Sequence, residues 1–357
     1  MKKLLISVLV VALVVGLIVY IVGRREAVEE PEVEKIKVVL YINGTLGDKS
    51  FFDSANRGLQ QAITELGIEG KTIEGGGVDA ARWESDLDEL SRGDWDLIIV
   101  GTWQMVEILE RIAPKYPNQK YVIFDTAVDY TKGNLSNVYS ILYKQNEGSF
   151  LVGALAALIT TSDMPQANKE KVVGFLGGMD IPVINDFKVG YEQGVRYIDP
   201  AIRVLVSYAG TFIDPAKGKE LMLAQYDQGA DIAFNVAGLT GLGLLEAAKE
   251  RKKYAIGVDS DQYLMIKDTD PEKASFILVS MMKNVDVSLF RAIQLFKEGK
   301  LEFGRSEAIG LREGGVGVSN NYYYQQVVPE AFRNKIAELE QKIIKGEIVV
   351  ESAFVLP

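Results

Sequence analysis

Between Val38 and Leu59 the chain reads VVLYINGTLGDKSFFDSANRGL, and between Val172 and Val195 it reads VVGFLGGMDIPVINDFKVGYEQGV. Each stretch is a short apolar run, then a glycine-bearing loop, then a pattern of helical period. No other feature constrains the fold as much, because a continuous apolar run of this length suits a strand covered on both faces, the habit of parallel sheets. In the first copy Asn43, Gly44 and Gly47 break the strand. Asp48 or Ser50 can cap the helix that follows, a short side-chain oxygen accepting from the unpaired amides of its first turn. In the second copy paired glycines precede an Asn or Asp beside Phe that opens a helix. Phe51 and Phe52 sit at the mouth of the first turn, where the carboxyl end of a strand in an α/β sheet faces a crevice.

The same alternation fills the chain. From Ile36 to about Tyr143 come WDLIIVGT, a helix from Gln104 to Lys115, YVIFDTAVD and VYSILYK. Short apolar runs separated by amphipathic helices predict βαβ units and a parallel sheet. EGSFLVGALAALIT, Glu147 to Thr160, is a long apolar helix, after which the theme restarts. The second series continues through AIRVLVSYAG, a helix near Lys217 to Gln228, DIAFNVAG, a helix from Gly241 to Lys249, and KYAIGVDSD. FILVSMMK (Phe276 to Lys283) adds a strand, VSLFRAIQLFKEGK a helix, and FRNKIAELEQKII (Phe332 to Ile344) another helix packed on a lobe. At 357 residues the chain holds two domains of about 100 to 200 residues each. Right-handed crossovers make each a doubly wound sheet, and two such lobes enclose a cleft.

At the N-terminus Lys2 and Lys3 precede LLISVLVVALVVGLIVYIV, Leu4 to Val22, close to the ~20 apolar residues that span a bilayer. A cleaved signal peptide has an apolar core of about 7 to 15 residues and a small-residue exit, whereas Gly23, Arg24, Arg25 and Glu26 follow here, so an uncleaved transmembrane anchor is expected. The basic flanks are nearly balanced and leave orientation open. The acidic stretch EAVEEPEVEK, Glu26 to Lys35, reads as a solvated tether, which places the globular part outside the cell membrane.

Composition narrows the chemistry. The chain has no His and no Cys, which removes the usual proton-transfer residue, the commonest metal ligand, thiol catalysis, disulfides and a lipid-bearing cysteine. A formal charge of -10 argues against a nucleic-acid surface, which needs clustered Lys and Arg. Catalysis would fall to carboxylates, Lys, Tyr or Ser, and no aspartate cluster of the DxDxxxDD kind stands at a strand end to hold a hydrolase metal. No catalytic residue, cofactor or metal is expected.

Three groups of residues remain as candidates. GLTGLG, Gly238 to Gly243, superficially resembles a dinucleotide turn, but its glycine spacing is wrong and no matched acidic residue follows, so it reads better as a tight turn exposing amides to the cleft. Asp48, Asp53, Asp125, Asp129, Asp180, Asp186, Asp214, Asp259 and Asp261 fall mostly at strand ends or loop starts, where helix capping and ligand contact are equally natural. Phe51, Phe52, Trp103, Tyr208 and Phe212 lie at or just past predicted strand ends in both lobes. Singly such rings belong to cores, but two facing a cleft can sandwich a flat ring, at ~1 to 3 kcal/mol per stacked base. Asn43-Gly44-Thr45 and Asn134-Leu135-Ser136 match glycosylation sequons, and Asn43 is expected to stay unmodified inside the cleft.

With GDKSFFDSA, LYKQNEGSFLVGALAA, GFLGGMDIPVINDF, YAGTFIDPAKGKE, AQYDQGADIAFNVAGLTGLGLLEAAKE, YAIGVDSDQ and SMMKNVD in order from about Ile36 to the C-terminus, the chain resembles the basic membrane protein family. These are substrate-binding components of ABC importers, the purine nucleoside receptors among them. The resemblance implies a two-lobed type I periplasmic-binding fold, each lobe a doubly wound parallel sheet, joined by three crossing segments. With the anchor at 1–25 and the acidic linker at 26–35 read from the residues, the rest divides into an N-terminal lobe of 36–143 plus 284–304 and a C-terminal lobe of 144–283 plus 305–357. The resemblance further implies a purine nucleoside closed between the lobes, with ABC permease subunits as partners. Phe51 would stack on the base with Phe212 on its other face, Asp259 would take ribose hydroxyls, Lys283 would donate to a ribose oxygen, and Asp125 would bond the purine's polar edge. Asn43, Phe52, Trp103 and Gly238 complete the expected site.

The departures from the family pattern concern the ligand. Asn43 stands where an Asp is usual, Phe52 replaces an Asn, and the lipobox Cys is absent, its work falling to the Leu4–Val22 anchor. Loss of a carboxylate and gain of a ring weaken sugar recognition and favour a larger flat ligand such as riboflavin. A receptor that senses the ligand and engages a separate signalling partner is the alternative from another class, and a hydrolase would release free base from a nucleoside.

Overall fold

The computed structural model describes residues 35–354 apart from Val78. The anchor expected over Leu4–Val22, and all of the acidic tether except Lys35, lie outside the described residues. Among the described residues no helix is long and apolar enough to cross a membrane.

From Lys37 the chain alternates through β1 (Lys37–Ile42), α1 (Phe51–Leu66), β2 (Glu69–Glu74), α2 (Ala80–Arg92), β3 (Leu97–Gly101), α3 (Val106–Ile112), β4 (Lys120–Phe124) and β5 (Val138–Tyr143). A second series follows: α4 (Gln145–Thr160), β6 (Val172–Gly177), α5 (Pro182–Ile198), β7 (Arg203–Tyr208), α6 (Pro215–Asp227), β8 (Ile232–Val236), α7 (Leu242–Arg251), β9 (Tyr254–Asp259), the short α8 (Gln262–Ile266) and α9 (Pro271–Ala274), and β10 (Ile277–Lys283). The chain ends through α10 (Val285–Lys297), β11 (Arg305–Ile309), β12 (Val316–Val318), α11 (Tyr322–Val327) and α12 (Glu330–Ile344).

These strands form two sheets of six. The first runs β11-β5-β4-β3-β1-β2 and is parallel throughout. The second runs β12-β10-β9-β8-β6-β7, with only β12 antiparallel. Without their last strands the two orders coincide, so the repeated stretches at Val38 and Val172 mark equivalent strands of two similarly wound lobes. The chain passes between lobes three times, after Tyr143, after Lys283 and after Ile309. The boundary expected at 304/305 falls ahead of β11, which pairs with β5 from Arg305↔Tyr139 to Ile309↔Tyr143. The first lobe's last segment therefore extends to Ile309; the polar RSEAI has no apolar run to announce a strand.

Local chemistry explains the boundaries. Of the two capping candidates before α1 it is Asp48 that acts, accepting from the backbone amides of Ser50, Phe52 and Asp53 at 3.0, 2.9 and 3.2 Å; the Ser50 side chain makes no cap bond. Gly67 ends α1 in a left-handed conformation at φ 67°, which costs glycine least. The single helix expected from Gln104 to Lys115 is instead three short pieces, 3₁₀ turns at Trp103–Met105 and Ala113–Lys115 flanking α3. In the second lobe Pro182, with its φ preset for the first helical turn, opens α5, so Asn185, Asp186 and Phe187 lie inside the helix and do not cap it. α4 is buried on nearly every side because α5 lies against it at backbone distance: a Cβ at Gly190 would sit 2.2 Å from Asn146 O and one at Gly194 2.0 Å from Phe150 O. The tail after α12 returns to this pair, where Asn146 Nδ2 donates to Glu351 O at 3.0 Å and Asp186 accepts from Ser352 Oγ at 2.6 Å and the Ala353 amide at 2.9 Å.

Candidate functional site

In a doubly wound sheet the crevice for a ligand opens at the strand carboxyl ends where the connections leave to opposite sides, here between β1 and β3 in the first lobe and between β6 and β8 in the second. Both crevices face one cavity of about 360 Å³, lined from both lobes, within the ~300 to 1,000 Å³ common for small-molecule sites. The backbone is bent to serve it. Thr102, Asp125 and Asp259, at or just beyond the ends of β3, β4 and β9, have φ of 73°, 68° and 62°. A positive φ costs a non-glycine residue about 1 to 3 kcal/mol and persists only where the surroundings impose it. All three residues line the cavity.

Its floor is charged. Lys283, the last residue of β10, has a side chain 2% exposed and donates from Nζ to Asp125 Oδ1, a pair that spans the lobes. The ammonium also lies 5.4, 5.1 and 5.2 Å from the ring centroids of Phe51, Tyr143 and Phe187, a cation held among aromatic faces. Burial pushes the Asp125 carboxyl up from the ordinary carboxylate range, against the pull of Lys283. Burial likewise raises Asp259 to about 6, opposed by Lys283 and by the Ser50 hydroxyl that donates to its Oδ2, and reinforced by Asp48 and Asp125. Asp125 Oδ2 and Asp259 Oδ1 accept no hydrogen bond among the described residues. Two free carboxylate oxygens beside an ammonium form a site for hydroxyls and N–H groups.

Aromatic and apolar side chains form the walls. Phe51 stands 5.4 Å from Phe124 and 5.2 Å from Phe52, the latter edge to face. Phe52 covers Gly44 so closely that a Cβ there would lie 2.4 Å from its ring, and Phe212 covers Gly178 in the same way at 2.3 Å. Trp103 is 46% exposed at the rim. Gly238, at φ 55°, starts the 3₁₀ turn Gly238–Gly241 against Phe212, whose carbonyl accepts from the Thr240 amide at 3.0 Å. The second lobe adds Ile181, Ile184, Phe187 and Ile213.

Asn43, Phe51, Phe52, Trp103, Asp125, Phe212, Gly238, Asp259 and Lys283 thus all line this one cavity. Sequence reasoning did not single out Thr102, Gln104, Met179, Ile181 or Phe187, which also line it. Position just past a strand end was a usable signal for Thr102 and Gln104, whereas the apolar residues look like any core positions. Ser50 was read only as a possible cap; its hydroxyl serves Asp259, and its carbonyl accepts from Ser260 Oγ at 2.9 Å. Arg57 of α1 donates to Ser260 Oγ at 2.9 Å, and Gln262 Nε2 to Lys49 O at 3.2 Å, so the start of α1 is fastened to the turn after β9 in the other lobe.

Residues 35–353 match the family described as Bmp, ABC transporter substrate-binding protein PnrA-like. Among named relatives, the CD4+ T-cell-stimulating antigen of Listeria monocytogenes is 32% identical over 320 residues, 86% of this chain and 85% of that one. Basic membrane protein A of Borreliella burgdorferi is 32% identical over 324 residues, 88% of each. Among solved structures, an ABC transporter system solute-binding protein from Aeropyrum pernix K1 superposes with a TM-score of 0.78 at 31% identity, covering 88% of this chain and 94% of its own.

Proposed function

The chain belongs to the family of PnrA-like ABC transporter substrate-binding proteins, and from that membership we propose that its cleft captures a purine nucleoside outside the cytoplasm and delivers it to membrane permease subunits. No bond is made or broken; the lobes close on the ligand and open at the transporter. The observation that carries the reading is the pairing, in one cavity, of aromatic walls with a buried ammonium and two carboxylates that each keep a free oxygen. A nucleoside is flat and apolar at one end and rich in hydroxyls at the other. Phe51 and Phe212 stack on its base at ~1 to 3 kcal/mol per contact. Asp259 accepts from ribose hydroxyls, Lys283 donates to a ribose oxygen and Asp125 takes an N–H of the base, each charge-assisted bond contributing about 1.5 to 3 kcal/mol. The apolar segment Leu4–Val22 holds the protein at the cell membrane.

Calorimetry on the full chain, refolded after denaturation to strip bound ligand, tests this against guanosine, inosine, adenosine and riboflavin. Heat with a nucleoside is expected; heat with none of the three would remove the nucleoside reading. Riboflavin is the second reading, favoured by Phe52 lying over Gly44 and by the neutral Asn43 beside it.

A further inference from the structure

A second polar group lies in the cavity apart from the charged floor. Asn43 follows β1, while Thr102 and Gln104 follow β3, its neighbour in the sheet. Asn43 is only 5% exposed, so its amide hydrogens need acceptors within the protein. Nδ2 finds two, Gln104 Oε1 at 3.0 Å and Thr102 Oγ1 at 2.9 Å, and the Thr102 hydroxyl also lies within donating distance of Asn43 Oδ1 at 3.2 Å. Gln104, half-buried and lining the cavity, thus turns its carbonyl to Asn43. Its Nε2 makes no hydrogen bond among the described residues. Turning both amides over would aim the Gln104 carbonyl at a cavity lined by Asp48, Asp125 and Asp259 and a single ammonium; that net negative field favours the N–H end there.

We propose that Gln104 determines which ring the site accepts, through an NH₂ group that Asn43 holds facing the ligand, and that it selects 6-oxopurine over 6-aminopurine nucleosides. The proposal deepens the nucleoside reading and rests on it. An NH₂ group offers two donors. The edge of a 6-oxopurine offers two acceptors, O6 and N7, whereas the edge of adenine offers one acceptor and an amino group. Glutamine can pair with adenine only by turning its carbonyl to the base as well, and here that oxygen is turned toward Asn43. An amino group against the Gln104 NH₂ sets donor against donor and leaves both unpaired, the situation polar sites reject most strongly. Asn43 is the positioning residue, since its N–H groups dictate which end of Gln104 faces outward.

The test is the ratio of inosine to adenosine affinity, measured by calorimetry on the full chain. Wild type is expected to prefer inosine by at least about tenfold. Gln104→Ala should bring the ratio toward one. Gln104→Glu, which only accepts, should reverse it. Asn43→Asp should also reverse it, because a carboxylate draws the Gln104 NH₂ to itself and turns the carbonyl outward; a general loss of fit would lower both affinities without inverting the ratio. Thermal unfolding checks each variant, and the Gln104 pair carries the test if Asn43→Asp does not fold. A wild-type ratio near one, or a ratio unchanged in Gln104→Ala, overturns the proposal and leaves the nucleoside reading standing. No heat with either nucleoside overturns both.

Discussion

The two lobes solve the same backbone problem and then diverge in what they bring to the cleft. In the first, the strand ends carry hydrogen-bonding groups: Asn43 after β1, Thr102 and Gln104 after β3, Asp125 after β4. In the second, the equivalent ends of β6 and β8 carry glycine and alanine, and the wall is Ile181, Ile184, Phe187 and Ile213. One jaw has the means to read a ligand's polar edge; the other has the means to exclude water from it. The charged exceptions in the second lobe, Asp259 and Lys283, sit on β9 and β10, next to a crossing between lobes. Charge in the second lobe is therefore placed beside a crossing, and strand order alone does not dictate what a jaw does.

The largest effect should come from removing the charge that joins the lobes. Lys283→Met leaves Asp125 and Asp259 buried without the cation that offsets both. Breaking one side of a buried pair typically costs about 3 to 5 kcal/mol, and urea unfolding at pH 7 should show a loss of that size. Adding Asp125→Asn should recover part of it. A loss below about 1 kcal/mol would show that the pair does not hold the floor together.

Asp259 sharpens the contrast through pH. Its folded pKa of about 6 lies above the ordinary carboxylate value near 3.8. Between those values the folded state holds a proton that the unfolded state releases, so stability of the ligand-free protein falls as pH rises through this window and the deficit is complete above the folded pKa. Two units correspond to about 3 kcal/mol. Asp259→Asn should flatten the profile between about pH 4 and 6, and the Lys283→Met loss should shrink at pH 5, where Asp259 is protonated. A wild-type profile equally steep in Asp259→Asn would assign the dependence elsewhere.

The rings come next. Phe51→Ala and Phe212→Ala should each weaken nucleoside binding by about 10- to 100-fold if both faces of the base are stacked, one per jaw. An effect confined to Phe51 would place stacking in the reading jaw alone and leave Phe212 as cover for Gly178.

How far this was legible beforehand differs along the same lines. The central strands could be read because a strand buried on both faces must be apolar, as Val38–Ile42 and Leu97–Val100 are. β2, EGKTIE, and α2, which buries only Trp83, Leu87 and Ser91, could not, because an edge strand and a surface helix need few apolar residues. Phe51, Asp125, Asp259 and Lys283 were recognisable as residues at strand ends and by resemblance. The contact between Lys283 and Asp125, 158 positions apart, was not, because it depends on the lobes being brought together. The Asn43–Gln104 bond was hidden for a related reason: it requires the register of β1 on β3 and the positive φ at Thr102.

Trp103 should give the smallest effect on stability and the most direct report on the jaws. It stands at the rim, 46% exposed, so Trp103→Phe should change unfolding free energy by no more than about 0.5 kcal/mol. Trp83 and Trp95, the other tryptophans, do not line the cavity. A change in tryptophan emission when ligand fills the cleft is therefore expected from Trp103, and Trp103→Phe should abolish it while binding persists by calorimetry. Persistence of the fluorescence change would mean that filling the cleft alters the surroundings of Trp83 or Trp95. Trp83 lies in a core cluster on the face of the first sheet away from α1, with β1, β3 and β4 contributing to it. A signal from there would show that the reading jaw deforms on binding, and that the first lobe is not a rigid half closed by its apolar counterpart.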